Sequence, residues 1–383
     1  MLGSFMSPVA LAFGVLEITD SAAWLSAVTT AALIPMAATM LFGGGIADRH
    51  RRDTVLCLTS LGAGLAQAGV AVLLLTHQPP GLLLPLSAAN GALQGLTTPA
   101  LRGIVSNLMT GPGLQQASSL LASARNTTRI LGPAAAGLLT ASVGGGWAIA
   151  ADSASFLVAA ACFARIRLPD RPPRAMDAPT MLGDLREGWQ YFRSQSWIWS
   201  VTLAFAVFNA TTRGFWQILG PVIAKDTIGA EGWGLVVSAQ GVGALLASVV
   251  LVKLPLMRRP MTPALSAMAL ATLPLILLGS GAPLFWLAAA SFLTGAAVDF
   301  FTVVWETVNY TNIPERLLSR VGAHDEFWSF VSAPMGQLSA PILAAAFGTA
   351  AVAVAGGAVG AAVMLVTALV PALRRIEINH DKA

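Results

Sequence analysis

Charge is scarce in this chain. Asp, Glu, Lys and Arg together make up 10% of its 383 residues, against about a quarter in soluble domains, which excludes an ordinary water-facing surface. Lysine is rarer still: Lys225, Lys253 and Lys382 are the only lysines among 22 basic residues. The two cysteines, Cys57 and Cys162, lie inside apolar runs, so neither a disulfide framework nor a CxxC metal site is implied. The four histidines (His50, His77, His324, His380) are scattered, and no His/Cys/Glu cluster points to a metal or to an enzyme. No G-x-x-x-x-G-K-[ST] occurs, so an ATP-driven pump would need a partner. No cofactor is indicated. The alternating pattern of a membrane β-barrel is missing. A cleavable signal peptide is not evident either, because Leu2 to Ile18 lacks a basic leading region and a small-x-small site.

Apolar residues fill the space left by charge. They make up 55% of the chain and the mean hydropathy is +0.71. A bilayer-crossing helix takes about 20 mostly apolar residues, and the runs between charges, Pro and Gly predict twelve such spans. They cover roughly 2–19, 22–46, 54–76, 82–108, 116–141, 147–164, 197–222, 232–253, 262–281, 284–309, 321–347 and 349–371. The expected fold is an all-α polytopic membrane protein built as two six-helix bundles, with a shortened first helix. Residues 1–164 form the first bundle, 165–195 a cytoplasmic linker, 196–372 the second bundle and 373–383 a cytoplasmic tail.

Basic residues test this division. A net charge of +4 and a pI of about 9.6 would suit a nucleic-acid binder, but the arginines sit in short loops between apolar runs. With alternate loops placed on opposite sides, seventeen basic residues fall on one side and only Lys225 on the other. The remaining four, Arg102, Arg125, Arg129 and Arg213, lie inside spans. That asymmetry makes the first side cytoplasmic, with both termini there. The linker opens with four prolines between Arg165 and Pro179 and continues into a short amphipathic helix. Leu182, Leu185, Trp189 and Phe192 share one face of it, opposite Asp184, Glu187 and Arg193, as expected of a helix on the membrane surface or against the bundle. Arg51-Arg52 and Arg258-Arg259 occupy equivalent loops of the two halves, as in transporters built from parallel repeats.

Between spans 2 and 3 the chain reads Gly44-Gly45-Ile46-Ala47-Asp48-Arg49-His50-Arg51-Arg52-Asp53. This resembles the loop signature G-x-L-A-D-R-x-G-R-R of the major facilitator superfamily, with Arg51 in place of a glycine and Asp53 in place of the last base. Ser4 to Phe13, Asn126 to Gly137 and Leu317 to Asp325 resemble the drug-exporter branch that includes bacterial enterobactin exporters. Gly132-Pro133-Ala134-Ala135-Ala136-Gly137 is similar to the antiporter motif G-P-x-x-G-G of that branch, so Gly132, Pro133 and Gly137 would accompany export. The resemblance also implies about a dozen further residues ahead of Gly3, so the given start is expected to be misassigned or the first span shortened.

Ionisable residues inside spans are costly, and each is a candidate functional residue. Asp299 and Glu306 stand seven apart in span 10 and share a face. They could take up a proton in one state and release it in another, or form structural ion pairs. Arg125 and Arg129, four apart in span 5, could meet an anionic substrate or hold an acid of another span. Asp152 and Arg213 are further candidates for the solute path or for pairing within the membrane. Gly44, Asp48, Arg49, Arg52 and Asp325 are candidate cytoplasmic gate residues, and Glu17 and Asp20 are expected to face water. Trp216, Trp305 and Trp328 would stack on a flat substrate or anchor and pack the spans. The function expected is secondary active export of a small, amphipathic or drug- or siderophore-like molecule by proton antiport, from the plasma membrane of a bacterium. The partners are that molecule, protons and the bilayer, with no nucleic acid, and the carrier is read as a monomer. Uptake by the same fold and a non-transporting membrane scaffold or sensor are the alternatives.

Overall fold

The computed structural model describes residues 2–49, 52–108, 112–165, 181–253 and 257–376. Every regular element among them is helical. The helices are α1 (Leu2–Thr19), α2 (Ala22–Arg49), α3 (Arg52–Leu75), α4 (Leu83–Leu108), α5 (Pro112–Val143), α6 (Gly145–Ala164) and α7 (Met181–Ser194). After them come α8 (Ser196–Phe208), a π-turn (Asn209–Gly214), α9 (Phe215–Thr227), α10 (Gly229–Lys253), α11 (Met261–Leu270) and α12 (Leu273–Gly279). The last four are α13 (Leu284–Asn312), α14 (Glu315–Phe347), α15 (Thr349–Ala368) and α16 (Pro371–Arg374).

Each predicted span coincides with one of these helices or with a broken pair. Span 7 is α8, the π-turn and α9; span 9 is α11 with α12. Among the described residues, eight helices are long and apolar enough to cross a membrane. Of the others, α1 offers only Gly3–Thr19, α5 carries Arg125 and Arg129 among many Ser and Thr residues, and span 7 is divided by its π-turn into two 13-residue helices. The linker residues 166–180 and the tail 377–383 lie outside the described residues.

Side chains on α3 show what solvent these helices are made for. Leu58, Leu65 and Val72, seven residues apart, are 61%, 60% and 57% exposed, while Leu56, Ala63, Val70 and Leu74 are buried. An apolar stripe of that length would be unfavourable against water and suits hydrocarbon.

Two compact units emerge, Met1–Pro172 with Ala224–Ser238, and Pro173–Ile223 with Ala239–Ala383. The first packs α2 along α4, α3 along α4 and α6, and α1 against α5 and α6. The second packs α11 and α12 against α13 and α15, and α14 against α7, α8, α15 and the π-turn. Equivalent joints recur in the two halves of the sequence. Gly144 (φ 91°) alone joins α5 to α6, and Gly348 (φ 85°) alone joins α14 to α15. A one-residue reversal between helices needs left-handed backbone, which only glycine adopts without strain.

Candidate functional site

The second unit gathers its polar side chains along the seam between α14 and span 7. Leu317 and Val321 are buried with Phe192, Ile198 and Ile313, which turns that face of α14 inward. Asp325, one turn further, therefore also points into the unit. Thr202 of α8 donates its hydroxyl to Asp325 Oδ1 at 2.6 Å, and Trp305 of α13 donates its indole N–H to Oδ2 at 3.1 Å. One carboxylate thus joins three helices. The Thr202 hydroxyl also lies 3.0 Å from the Ile198 carbonyl; it has one proton, and the shorter contact is to the acid.

The seam continues upward at helical intervals. Asn209 donates to the Ser329 carbonyl at 2.9 Å, and Gln337 donates to Gln217. Between these levels the backbones nearly touch. A Cβ on Gly336 would clash with the Ala210 carbonyl oxygen, and one on Gly214 would lie 2.9 Å from Gly336 Cα. The π-turn sits within this contact. Such turns insert one extra residue into a helix and are frequent at functional sites.

Aromatic rings surround the Asp325 node. Trp305 meets Trp197 edge-on at 5.7 Å and Phe301 at 6.1 Å, and Phe301 stacks on Phe205 at 4.5 Å. Of the three tryptophans singled out in the sequence, Trp305 thus packs here and Trp328 packs near α7, with ring centroids of Trp189 and Trp328 6.3 Å apart.

Helix α7 docks on α14, one of the two placements its amphipathic pattern permits. Glu187 pairs with Arg320, and Trp189 packs on Phe192 at 5.6 Å and His324 at 5.5 Å. The Tyr191 hydroxyl donates to the Asn312 carbonyl at 3.3 Å, and desolvation by burial pushes this phenol above its ordinary range.

The predicted site residues fall into separate surroundings. Asp299 is half-buried and Glu306 exposed on α13, with Thr302 and Tyr310 exposed on the same side as Glu306 and Phe301, Val304 and Val308 buried on the other. Their seven-residue separation puts them about 10 Å apart along the axis. On α5, Arg125 is exposed and Arg129 half-buried, and Arg213 is exposed in the π-turn. Asp152 is 0% exposed. Its Oδ2 accepts from Gln67 Nε2 at 2.8 Å, and the same nitrogen lies 2.8 Å from Ser7 Oγ, so α1, α3 and α6 meet on this group. Next to it, Ser153 donates to the Gly64 carbonyl at 2.8 Å.

Gly44, Asp48 and Arg49 belong to the last turns of α2, and Arg52 opens α3. Their side chains lie outside the described residues. The antiporter-like motif has a defined contact. Gly132, Pro133 and Gly137 are buried, and a Cβ on Gly137 would lie 2.5 Å from the Ala230 carbonyl oxygen and 3.1 Å from Gly234 Cα. The motif is where α5 meets the start of α10 backbone to backbone.

One expectation is corrected. Glu17 does not simply face water: both its carboxylate oxygens accept from the Gly145 N–H, at 3.2 and 3.1 Å. The unsatisfied N–H groups and positive dipole end of α6 attract an acid there. Asp20, though largely exposed, is ion-paired with Lys225.

The polar residues Thr202, Asn209, Gln217, Ser329 and Gln337 were not singled out from sequence. The signal available was their recurrence at seven- or eight-residue and four-residue intervals on apolar helices.

Residues 1–323 match the family model described as Major Facilitator Superfamily. A Staphyloferrin A transporter of Staphylococcus aureus is 24% identical over 264 residues, which is 66% of this chain and 64% of that protein. The match thus spans somewhat less than two thirds of that relative. Among solved structures, the nucleoside transporter NupG superposes with a TM-score of 0.71 at 14% identity, covering 95% of this chain and 96% of that one. The xylose transporter XylE of E. coli superposes with a TM-score of 0.67 at 13% identity, covering 96% and 93%.

Proposed function

The chain belongs to the Major Facilitator Superfamily, a family of membrane transporters, and on that footing we propose that it exports a small amphipathic molecule by proton antiport. The observation that carries this reading is Glu306, an exposed acid two turns from half-buried Asp299 on a 29-residue, largely apolar helix. Counted from Leu284, Asp299 falls within the roughly 30 Å of hydrocarbon and Glu306 near its far edge. A charged group within the core faces a water-filled path or the bundle interior rather than lipid. On this reading Asp299 and Glu306 pass the coupling proton, while Arg125, Arg129 and Arg213 border the solute path. The described polar contacts of Asp152 favour pairing within the membrane for that residue.

A siderophore-like substrate draws support from the Staphyloferrin A transporter relative, and the outward direction from the Gly132-Pro133…Gly137 motif. Asp48, Arg49, Arg52 and Asp325 are read as cytoplasmic gate residues. The protein is read as a multi-pass monomer of a bacterial plasma membrane, and the one-sided distribution of its basic residues supports both termini in the cytoplasm.

Everted membrane vesicles test the proposal. A screen of hydrophobic cations, antibiotics and siderophores should find a solute accumulated only under a proton gradient and released by a protonophore. Asp299→Asn and Glu306→Gln should each lose that gradient-dependent accumulation. Full proton-coupled transport by both variants would sink the coupling assignment, and accumulation that runs with the proton flow would make the protein an importer.

A further inference from the structure

Helix α7 docks on α14 through Glu187 and Trp189, and a basic and aromatic stripe runs along the edge of that contact. Arg186, Trp189 and Arg193 are spaced by three and four residues and so stand in one row, which puts Arg193 beside Trp189 and not opposite it as the sequence pattern suggested. Both arginines are exposed, and Trp189 and Trp328 are 37% and 45% exposed. Of the two acids of α7, Glu187 pairs with Arg320 and the Asp184 side chain lies outside the described residues; neither Arg186 nor Arg193 has an ion pair among the described residues. Glu326, an exposed acid of α14, is two residues from both His324 and Trp328 and therefore points away from the face that meets Trp189.

Helix length sets the depth of this stripe. α14 has 33 residues, about 50 Å at 1.5 Å per residue, whereas the hydrocarbon core is about 30 Å thick. Counting back about 20 residues from its end at Phe347 brings the opposite edge of the core to Trp328. Trp189 and Trp328 then lie at the boundary where tryptophan concentrates, and Arg186 and Arg193 lie at headgroup level.

We propose that Arg186, Trp189, Arg193 and Trp328 form a docking surface for anionic phospholipid headgroups. The arginines contact phosphate, and the two indoles insert at the boundary. Charge complementarity selects this occupant, since two exposed arginines at headgroup depth, without ion-pair partners among the described residues, meet the negative surface of an anionic leaflet. The inference rests on the membrane fold and not on the direction or substrate of transport.

Amide hydrogen exchange of residues 181–194 tests it, with the full-length protein in nanodiscs of phosphatidylcholine alone or mixed equally with phosphatidylglycerol. Exchange should be several-fold slower in the mixed discs, and the difference should vanish in Arg186→Gln/Arg193→Gln and in high salt but persist in Arg186→Lys/Arg193→Lys. Equal exchange in the two lipids, or slowing that survives either the double glutamine variant or high salt, would overturn the proposal. So would a lipid-independent slowing that tracks self-association, which would assign the stripe to a second copy of the chain.

Discussion

Lys225 reaches Asp20 at 2.7 Å and the Leu16 carbonyl at 3.1 Å, tying the end of α9 to the end of α1 within the first unit. It is the basic residue that the sequence leaves alone on its side of the membrane. Nothing in its immediate sequence, at the close of an apolar span, announces an ion pair 205 residues away.

That clasp is weak by construction, because the Asp20 side chain is 84% exposed and that of Lys225 34%. Exposed pairs are worth about 0.2–1 kcal/mol and are screened by salt. Asp20→Asn should therefore lower thermal stability slightly, and less in high salt. Lys225→Met also removes the bond to the Leu16 carbonyl, and should cost about 1 kcal/mol more. Thermal unfolding in detergent at two ionic strengths would measure both, and equal losses for the two variants would show that the carbonyl bond contributes nothing.

Gly137 and Gly234 should tolerate no side chain. An added Cβ on Gly234 would lie 2.5 Å from the Pro133 carbonyl oxygen, so α5 and α10 would have to separate. Alanine at either position should destabilise by about 1–3 kcal/mol. The double variant should lose less than the sum, because one separation relieves both clashes. Additive losses in a thermal-unfolding cycle would mean that the two glycines do not share a contact.

At the Asp325 node, Trp305→Phe keeps a ring but removes the indole donor, and Thr202→Val removes the hydroxyl. Each leaves one carboxylate oxygen without that partner and should cost about 1.5–3 kcal/mol, the range for hydrogen bonds to charged groups. Guanidinium or thermal melts of the solubilised protein would report it. Wild-type stability in both variants would disprove the node as a tie between α8, α13 and α14.

For Asp152, stability and transport should separate. Asp152→Asn keeps an acceptor for Gln67 and should fold normally and transport at the wild-type rate. Asp152→Ala leaves the Gln67 amide with Ser7 alone, one of its two N–H groups unpaired in a buried site, and should lose about 1–3 kcal/mol while the folded fraction still transports. A fully stable Asp152→Asn protein without transport would move this residue onto the solute path.

Much of the architecture was readable before any coordinates. Uninterrupted apolar runs of span length leave helices as the only means of satisfying the backbone in lipid, so the helix positions follow from composition. The loop from Gly44 to Asp53 carried the family. The candidate site was only partly readable. Asp325 was legible as a candidate gate acid, but its partners come from residues 202 and 305, and Asn209, Gln217, Ser329 and Gln337 carry no charge to draw notice. Glu17 looked like a solvated acid because the helix end that binds it lies 128 residues further along.

The sequence by itself determined that this protein is helical, lies in a membrane and has a family signature between its second and third helices. These depend on local hydrophobicity, charge and short motifs, each of which acts within a single helix or turn. Only the tertiary structure decided which polar residues meet: Asp325 with Thr202 and Trp305, Asp152 with Gln67, Lys225 with Asp20, Gly137 with Gly234. In lipid both faces of a helix are apolar, so hydropathy gives no sign of which face turns toward which neighbour. That is settled by close packing of small residues and by the need of each buried polar atom for a partner.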